Sequence, residues 1–206
     1  AIWLLHLAYW RPANEKLSEH GKICIYNHNK NYAIIILRCK ICRFEYRRRQ
    51  LVMEKYSLYV VLTRTNTVIS KVVQLVKKDE YTHAAISLDE ELNYMYSFGR
   101  KYSYYPFIGR FKQEDINKGL YKIHRNLPII IMEVEVSKQQ YENAKQLLDH
   151  FISNSNQYKY NYWGLLHSLM NKSAFYDNRF LCSEFVYYIL KESGIIDLKI
   201  PRNLVR

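Results

Sequence analysis

The chain of 206 residues is 49% hydrophobic, which is enough to form a real core, and its net charge is +12. Residues 1–52 contribute +7 of this charge and residues 53–206 only +5, so nucleic-acid binding would rest mainly on the first segment, and no nucleic-acid partner is expected. Four scattered cysteines do not make a disulfide scaffold, and the apolar runs fall far short of the ~20 residues of a membrane-spanning helix, so we expect a cytoplasmic protein.

Residues 1–52 do not show the pattern of a folded domain. The apolar residues 1–10 lack the basic lead-in and the small-residue cleavage site of a signal peptide. Cys39 and Cys42 form a C-x-x-C pair, but no second pair follows at a zinc-finger spacing. The pair is therefore a weak zinc signal.

Met53 is expected to be the first residue of the protein proper. Ala1 is not an initiator, and Met53 closely follows the arginines at 47–49. A purine-rich ribosome-binding sequence upstream of a bacterial start codon would be translated in frame as arginines. We therefore interpret residues 1–52 as an uncertain extension, expected to be upstream read-through, and residues 53–206 as one domain.

The first half of this domain alternates strands with a helix. Residues 57–62 are rich in β-branched and aromatic side chains, which predicts a buried strand. Valine and isoleucine then recur at helical spacing, which predicts a helix that begins near Thr67. Residues 81–89 form a second predicted strand with His83 at its beginning, and residues 94–99 return as its hairpin partner.

The middle of the domain is predicted to contain a loop, a strand and a long helix. Residues 100–111 interleave tyrosines with Lys and Arg, which we interpret as a loop over a substrate groove or a packed loop rather than a base-stacking platform. Residues 128–136 begin as a continuous apolar run and then alternate, as in a strand that leaves the interior. Ser137 and Gln140 fit a capping box, and residues 154–156 end the helix that it starts.

Cys182 is predicted to open the last long helix and to face the interior. Apolar side chains follow it at helical spacing (Phe185, Val186, Ile189 and Leu190), and Gly194 is placed to end the helix after about three turns. The unpaired N–H groups and the positive dipole end at a helix start favour a thiolate, which is the nucleophilic form. A lone cysteine on such a face is more often a buried structural residue, so its partners elsewhere in the chain decide the interpretation.

The order of these segments resembles a known family. A strand and a helix are followed by Thr82-His83-Ala84-Ala85-Ile86-Ser87, a second strand and, last, Phe180-Leu181-Cys182-Ser183-Glu184-Phe185-Val186. This arrangement is similar to the circularly permuted papain-like cysteine peptidases of the NlpC superfamily, specifically the YiiX-like group, over residues 53 to about 200. The resemblance implies an α+β, permuted papain-like fold, in which a small antiparallel sheet or half-barrel packs against helices and the catalytic cysteine lies on the C-terminal helix.

The resemblance also implies a set of catalytic residues. Cys182 would be the nucleophile and His83 the general base. A third polar group normally orients the imidazole from the following strand, where this chain offers Ser97, a hydroxyl without charge. Glu133 and Tyr96 remain alternatives for this third position.

The expected activity is that of a thiol-dependent amidase or peptidase, with cell-wall peptide or a similar amide as substrate. A lipid-active acyltransferase of the same fold and a catalytically inactive binding module are the alternatives. The partner would be a peptide or an acyl-containing small molecule, with no cofactor and no metal. Specificity would depend on residues 100–111 and 158–175, and the sequence does not indicate an oligomeric state.

Overall fold

The computed structural model describes residues 55–65, 68–102, 105–123 and 127–205, together with residues 23–26 and 34–40. For residues 23–26, 34–40, 68–69, 101–102, 105–108, 120 and 123 it describes the backbone only. In this part the protein has the predicted α+β class, with one curled, half-barrel-like sheet and helices packed against it. The strands are β1 (Ile23–Tyr26), β2 (Ile34–Lys40), β3 (Tyr56–Thr63), β4 (His83–Ser87), β5 (Met95–Tyr102), β6 (Tyr105–Glu114), β7 (Ile129–Val136), β8 (Lys159–Tyr160) and β9 (Arg179–Phe180). The helices are α1 (Val68–Lys77), α2 (Gly119–Ile123), α3 (Lys138–Ser153), α4 (Tyr162–Leu169) and α5 (Cys182–Glu192).

The strand order in the sheet is β1-β2-β7-β3-β4-β5-β6-β8-β9. The β2–β7 and β8–β9 pairs are parallel, and the other neighbours run antiparallel. The first two of the predicted strands, β3 and β4, are direct neighbours, with Thr63 opposite His83. The base predicted from sequence therefore lies near the middle of the sheet, at one end of β4.

Each face of the sheet carries its own apolar cluster, because side chains alternate along a strand. On one face β3 and β4 contribute buried residues that pack with α3 and α5 (Leu58, Val60, Leu62, Ala84, Ile86, Leu148, Phe185, Ile189). The opposite face holds a smaller cluster with α2 (Tyr59, Val61, Ala85, Met95, Tyr121, Ile131). The helix that begins with Cys182 is thus packed on the larger core.

The cysteine helix has the predicted start, face and end. Its buried residues include the four predicted apolar positions, and Gly194 has φ +74° just after the helix, the left-handed conformation that glycine adopts without strain. The capping box at the start of α3 is also confirmed, since Gln140 N–H donates to Ser137 Oγ at 3.2 Å and Ser137 N–H donates to Gln140 Oε1 at 3.0 Å. Local patterns were sufficient for both helices.

The predicted loop over residues 100–111 was wrong. This segment belongs to the long hairpin of β5 and β6, in register from Met95 opposite Glu114 to Tyr102 opposite Tyr105, with one irregularity between Arg100 and Tyr102. Tyrosine and phenylalanine favour strands, and this preference outweighs the interspersed lysines and arginines when the strand has a partner on each side.

The predictions on residues 1–52 lie largely outside the described residues. Cys42 is not described, and only the backbone of Cys39 is, as part of β2. The interpretation of this segment as read-through stays a prediction. Within the described ranges, no helix is both long and apolar enough to cross a bilayer.

Candidate active site

A buried polar network fixes the start of the cysteine helix. The Glu184 side chain is fully buried and accepts hydrogen bonds from Leu181 N–H at 2.9 Å, Asn161 Nδ2 at 3.2 Å and Arg202 Nε at 3.0 Å. Burial raises the pKa of Glu184, and these three donors act in the opposite direction. Because Leu181 directly precedes Cys182, the network holds the thiol at one place on the surface of the sheet.

Arg202 ties the last described residues to the same helix. Its guanidinium lies 4.3 Å from the ring centre of Phe175 and 4.5 Å from that of Phe180, and Nη2 donates to the carbonyl of Tyr176. Ser183 Oγ donates to the carbonyl of Val205 at 2.6 Å. The segment after α5 thereby closes one side of the cysteine site.

The structure brings together His83 and Cys182, the residues that the resemblance implies as general base and nucleophile. The imidazole and the thiol both line one cavity of about 70 Å³, and each shifts the pKa of the other. The His83 side chain is only 12% exposed. Its Nε2 faces a carboxylate, which leaves Nδ1 for the sulfur, because an imidazole has only two ring nitrogens.

The carboxylate behind His83 is Glu114, a residue that the sequence reasoning missed. Its oxygens lie 3.0 and 3.1 Å from His83 Nε2, and the side chain is 6% exposed. It also accepts from Ser97 Oγ at 2.9 Å, Tyr121 OH at 3.0 Å and Lys112 Nζ at 2.7 Å. Four donors on one buried carboxylate hold it in place and keep it ionised.

Ser97 and the two alternatives for the third position do not contact the imidazole through any hydrogen bond in the described part of the chain. Ser97 lies one step further away, as a donor to Glu114. Glu133 is on β7, where Lys55 Nζ at 2.6 Å and Ser57 Oγ at 3.0 Å donate to it. Tyr96 stacks on Phe111, with 6.0 Å between ring centres. The group that faces His83 Nε2 is therefore the Glu114 carboxylate and not the predicted Ser97 hydroxyl.

The electrostatics favour an ion pair between the thiol and the imidazole. Burial lowers the pKa of His83, but the Glu114 carboxylate and the hydrogen bond to Cys182 outweigh it and raise the pKa to about 10. Burial raises the pKa of Cys182, but the imidazolium and the backbone N–H groups of Ala84 and Ser183 lower it below its ordinary value. The thiolate–imidazolium form is therefore favoured near neutral pH.

Tyr160 is a further polar side chain in the cavity wall. Burial and the negative charge of Cys182 raise its pKa well above the ordinary value, so its hydroxyl remains a donor. Tyr160 can occupy this place only because residue 109 on β6 is a glycine. A Cβ at Gly109 would lie 2.5 Å from Tyr160 Cβ, which is too close. The Tyr160 hydroxyl and the N–H groups at the start of α5 are hydrogen-bond donors of residues that line the cavity.

The cavity has mainly apolar walls, including Leu62, Val73, Leu165 and Leu169. It lies between α1, α4 and the start of α5, so residues 158–175 contribute to it as predicted. The described parts of residues 100–111 do not line it. Of the two segments expected to determine specificity, the second contributes residues to the cavity wall.

A sequence signal for Glu114 existed, although it was not recognised. Residues 105–114 can be read as a strand, and in a hairpin with residues 95–102 Glu114 falls opposite Met95 and near Ser97. When that segment is interpreted as a loop, it has no strand register. The sequence then gives no indication that the Glu114 carboxylate lies near Ser97 and His83. No group of three or more His, Cys, Asp or Glu side chains in the described ranges is arranged to hold a metal ion.

Comparisons with known proteins add no relative from which a role could be transferred. No protein-family model, curated protein or solved structure matches the chain. The functional interpretation therefore rests on the residues and their geometry.

Proposed function

We propose that the protein is a thiol-dependent hydrolase that cleaves an amide, with Cys182 as nucleophile, His83 as general base and acid, and Glu114 as the orienting carboxylate. The observation that carries this proposal is the chain of contacts from thiol to imidazole to a buried, four-fold hydrogen-bonded carboxylate. A structural cysteine needs no such arrangement. Strongly perturbed, mutually coupled groups that line a cavity are typical of catalytic sites.

In the proposed reaction the Cys182 thiolate attacks the carbonyl carbon of the amide. The tetrahedral intermediate collapses when the C–N bond breaks, and the His83 imidazolium gives its proton to the departing amine. An acyl thioester on Cys182 results. The neutral imidazole then takes a proton from water, the hydroxide attacks the thioester, and the C–S bond breaks to release the acid and regenerate the thiolate.

The resemblance to permuted papain-like enzymes is part of the same proposal. In such enzymes the histidine strand precedes the cysteine helix, and here β4 precedes α5 while the two pack together. The proposed orienting residue, Glu114, is acidic, whereas the sequence predicted the serine Ser97 in this role. A carboxylate stabilises the imidazolium by its charge as well as by orientation, which a hydroxyl cannot do.

The proposal is tested by the alkylation rate of Cys182 with iodoacetamide against pH, followed by peptide mass spectrometry so that Cys24, Cys39 and Cys42 are counted separately. Cys182 should react well below the pH at which an ordinary thiol of pKa about 8.5 reacts. His83→Ala should move this profile upward. His150→Ala, which removes an exposed imidazole on α3, is the matched control and should leave the profile unchanged.

If Cys182 titrates like a free thiol and does not respond to the loss of His83, the hydrolase proposal fails, and a binding module with a buried cysteine is the better description. Acyl transfer is the second candidate activity, because the apolar cavity walls could hold an acyl chain. A short-chain p-nitrophenyl ester with and without hydroxylamine separates the two reactions. Formation of the hydroxamate in preference to the acid would indicate transfer.

A further inference from the structure

The cavity beside Cys182 contains a buried carboxylate that the proposed reaction does not use. Asp79 lies just after α1, is 4% exposed and lines the same cavity as Cys182 and His83. Within residues 55–65, 68–102, 105–123 and 127–205, no group donates a hydrogen bond to it or pairs with it. Buried polar groups are almost always paired, so an unpaired carboxylate in a cavity wall indicates a partner that is not part of the fold.

The chemistry of that partner follows from the carboxylate. An ionised carboxylate only accepts hydrogen bonds, so its partner must donate them, and burial without a compensating charge is costly. A protonated amine supplies both donors and charge. Lys77 also lines the cavity, but its ammonium donates to Asn171 Oδ1 at 2.6 Å and is held there.

The size and lining of the cavity restrict the rest of the ligand. Its volume is about 70 Å³, and its walls include Leu62, Val73 and Leu165 as well as Asp79. A short apolar side chain fits against these apolar walls. The ammonium and the apolar group must lie close to the carbonyl carbon, because Cys182 lines the same small cavity.

We propose that Asp79 binds the protonated amine of the substrate, so that the acyl part of the scissile amide carries a free amine and a small apolar side chain. This inference rests on the proposed function, because it assigns the acyl side of the bond that Cys182 attacks. Asp79 acts here as a specificity-determining residue and takes no part in proton transfer. An N-acylated substrate, which lacks the charge, would lose this contact.

Two affinity labels test the proposal: the chloromethyl ketone of alanine with a free amine and the same reagent N-acetylated. In both, the Cys182 thiolate forms a C–S bond and displaces chloride. The wild-type protein should be alkylated at Cys182 faster by the free-amine reagent. Asp79→Asn should lower the rate for that reagent about 10- to 100-fold, the loss of one hydrogen-bonded charge pair, and leave the rate for the acetylated reagent unchanged.

Asp149→Asn, an identical change at an exposed position of α3, is the matched control and should alter neither rate. The Tm provides a second readout, since removal of an unpaired buried charge should not lower it, whereas loss of a structural carboxylate would. Equal rates for the two reagents on the wild-type protein, or a lower Tm of Asp79→Asn with an unchanged ratio of rates, would overturn the proposal. Failure of the proposed function appears separately, as an ordinary iodoacetamide profile of Cys182, and the ratio of rates still decides the role of Asp79.

Discussion

Replacing Glu114 by Gln is the most informative single change, because it keeps the shape of the side chain and removes its charge. The carboxylate accepts from His83, Lys112, Ser97 and Tyr121. A glutamine offers one oxygen with two acceptor sites, and its NH₂ group must face some of the same donors. At least two of the four donors therefore lose their partner.

The expected loss of stability follows from this count. An unpaired buried donor costs about 1–3 kcal/mol, and Lys112, whose side chain is 31% exposed, can turn to water. We therefore expect the free energy of unfolding of Glu114→Gln at pH 7 to fall by about 3 kcal/mol, measured by urea denaturation. The imidazolium loses its counter-charge as well, so the pKa of His83 falls and the pKa of Cys182 rises.

The corresponding change in reactivity is an upward shift of the Cys182 alkylation profile by about one pH unit or more. Glu133→Gln is the matched control, because Glu133 is also a buried carboxylate with a lysine and a serine donor, but on β7. It should lower stability without moving the profile. If Glu133→Gln shifts the profile and Glu114→Gln does not, the orienting group has been placed on the wrong strand.

The remaining predictions concern the surroundings of this carboxylate. Ser97→Ala should lower the free energy of unfolding by only about 1 kcal/mol and leave the alkylation profile nearly unchanged, since Glu114 keeps three donors; a shift as large as that of Glu114→Gln would contradict this. Gly109→Ala should lower the free energy of unfolding by about 1–3 kcal/mol, because its Cβ would displace Tyr160. It should also slow the labelling of Cys182 by reagents that fill the cavity. Unchanged stability and labelling would contradict this prediction. The folded-state pKa of His83, about 10, exceeds the free value of 6.5, so its contribution to stability is complete below pH 6.5 and is lost as the pH rises. The lowered pKa of Cys182 adds to stability with rising pH until the pH passes the ordinary pKa of a free thiol, about 8.5, so urea unfolding should show a net loss of stability above that pH.

Local patterns predicted much of the fold and two of the three site residues. The β-branched and aromatic residues of β3, the capping box of Ser137 and the apolar face of α5 are local features of the sequence, and each element was found where expected. Glu114 was missed because its role depends on the pairing of β5 with β6, which brings it beside residues far away in the chain. Asp79 gave no sequence signal at all, since only the tertiary structure shows that it is buried and has no partner among the described residues.

The separation of His83 and Cys182 along the chain has a consequence for folding kinetics. β4 pairs with β5, its neighbour along the chain, whereas the contacts of α5 with β4 close a long loop that contains the intervening strands and α3. Contacts between distant residues form late, because the entropy of loop closure is lost before the contacts stabilise the chain. In a partly folded chain Cys182 would thus be an ordinary, slowly reacting thiol. Its rapid alkylation near neutral pH would report completion of the native topology, so pulse labelling during refolding could follow the last folding step without an added probe.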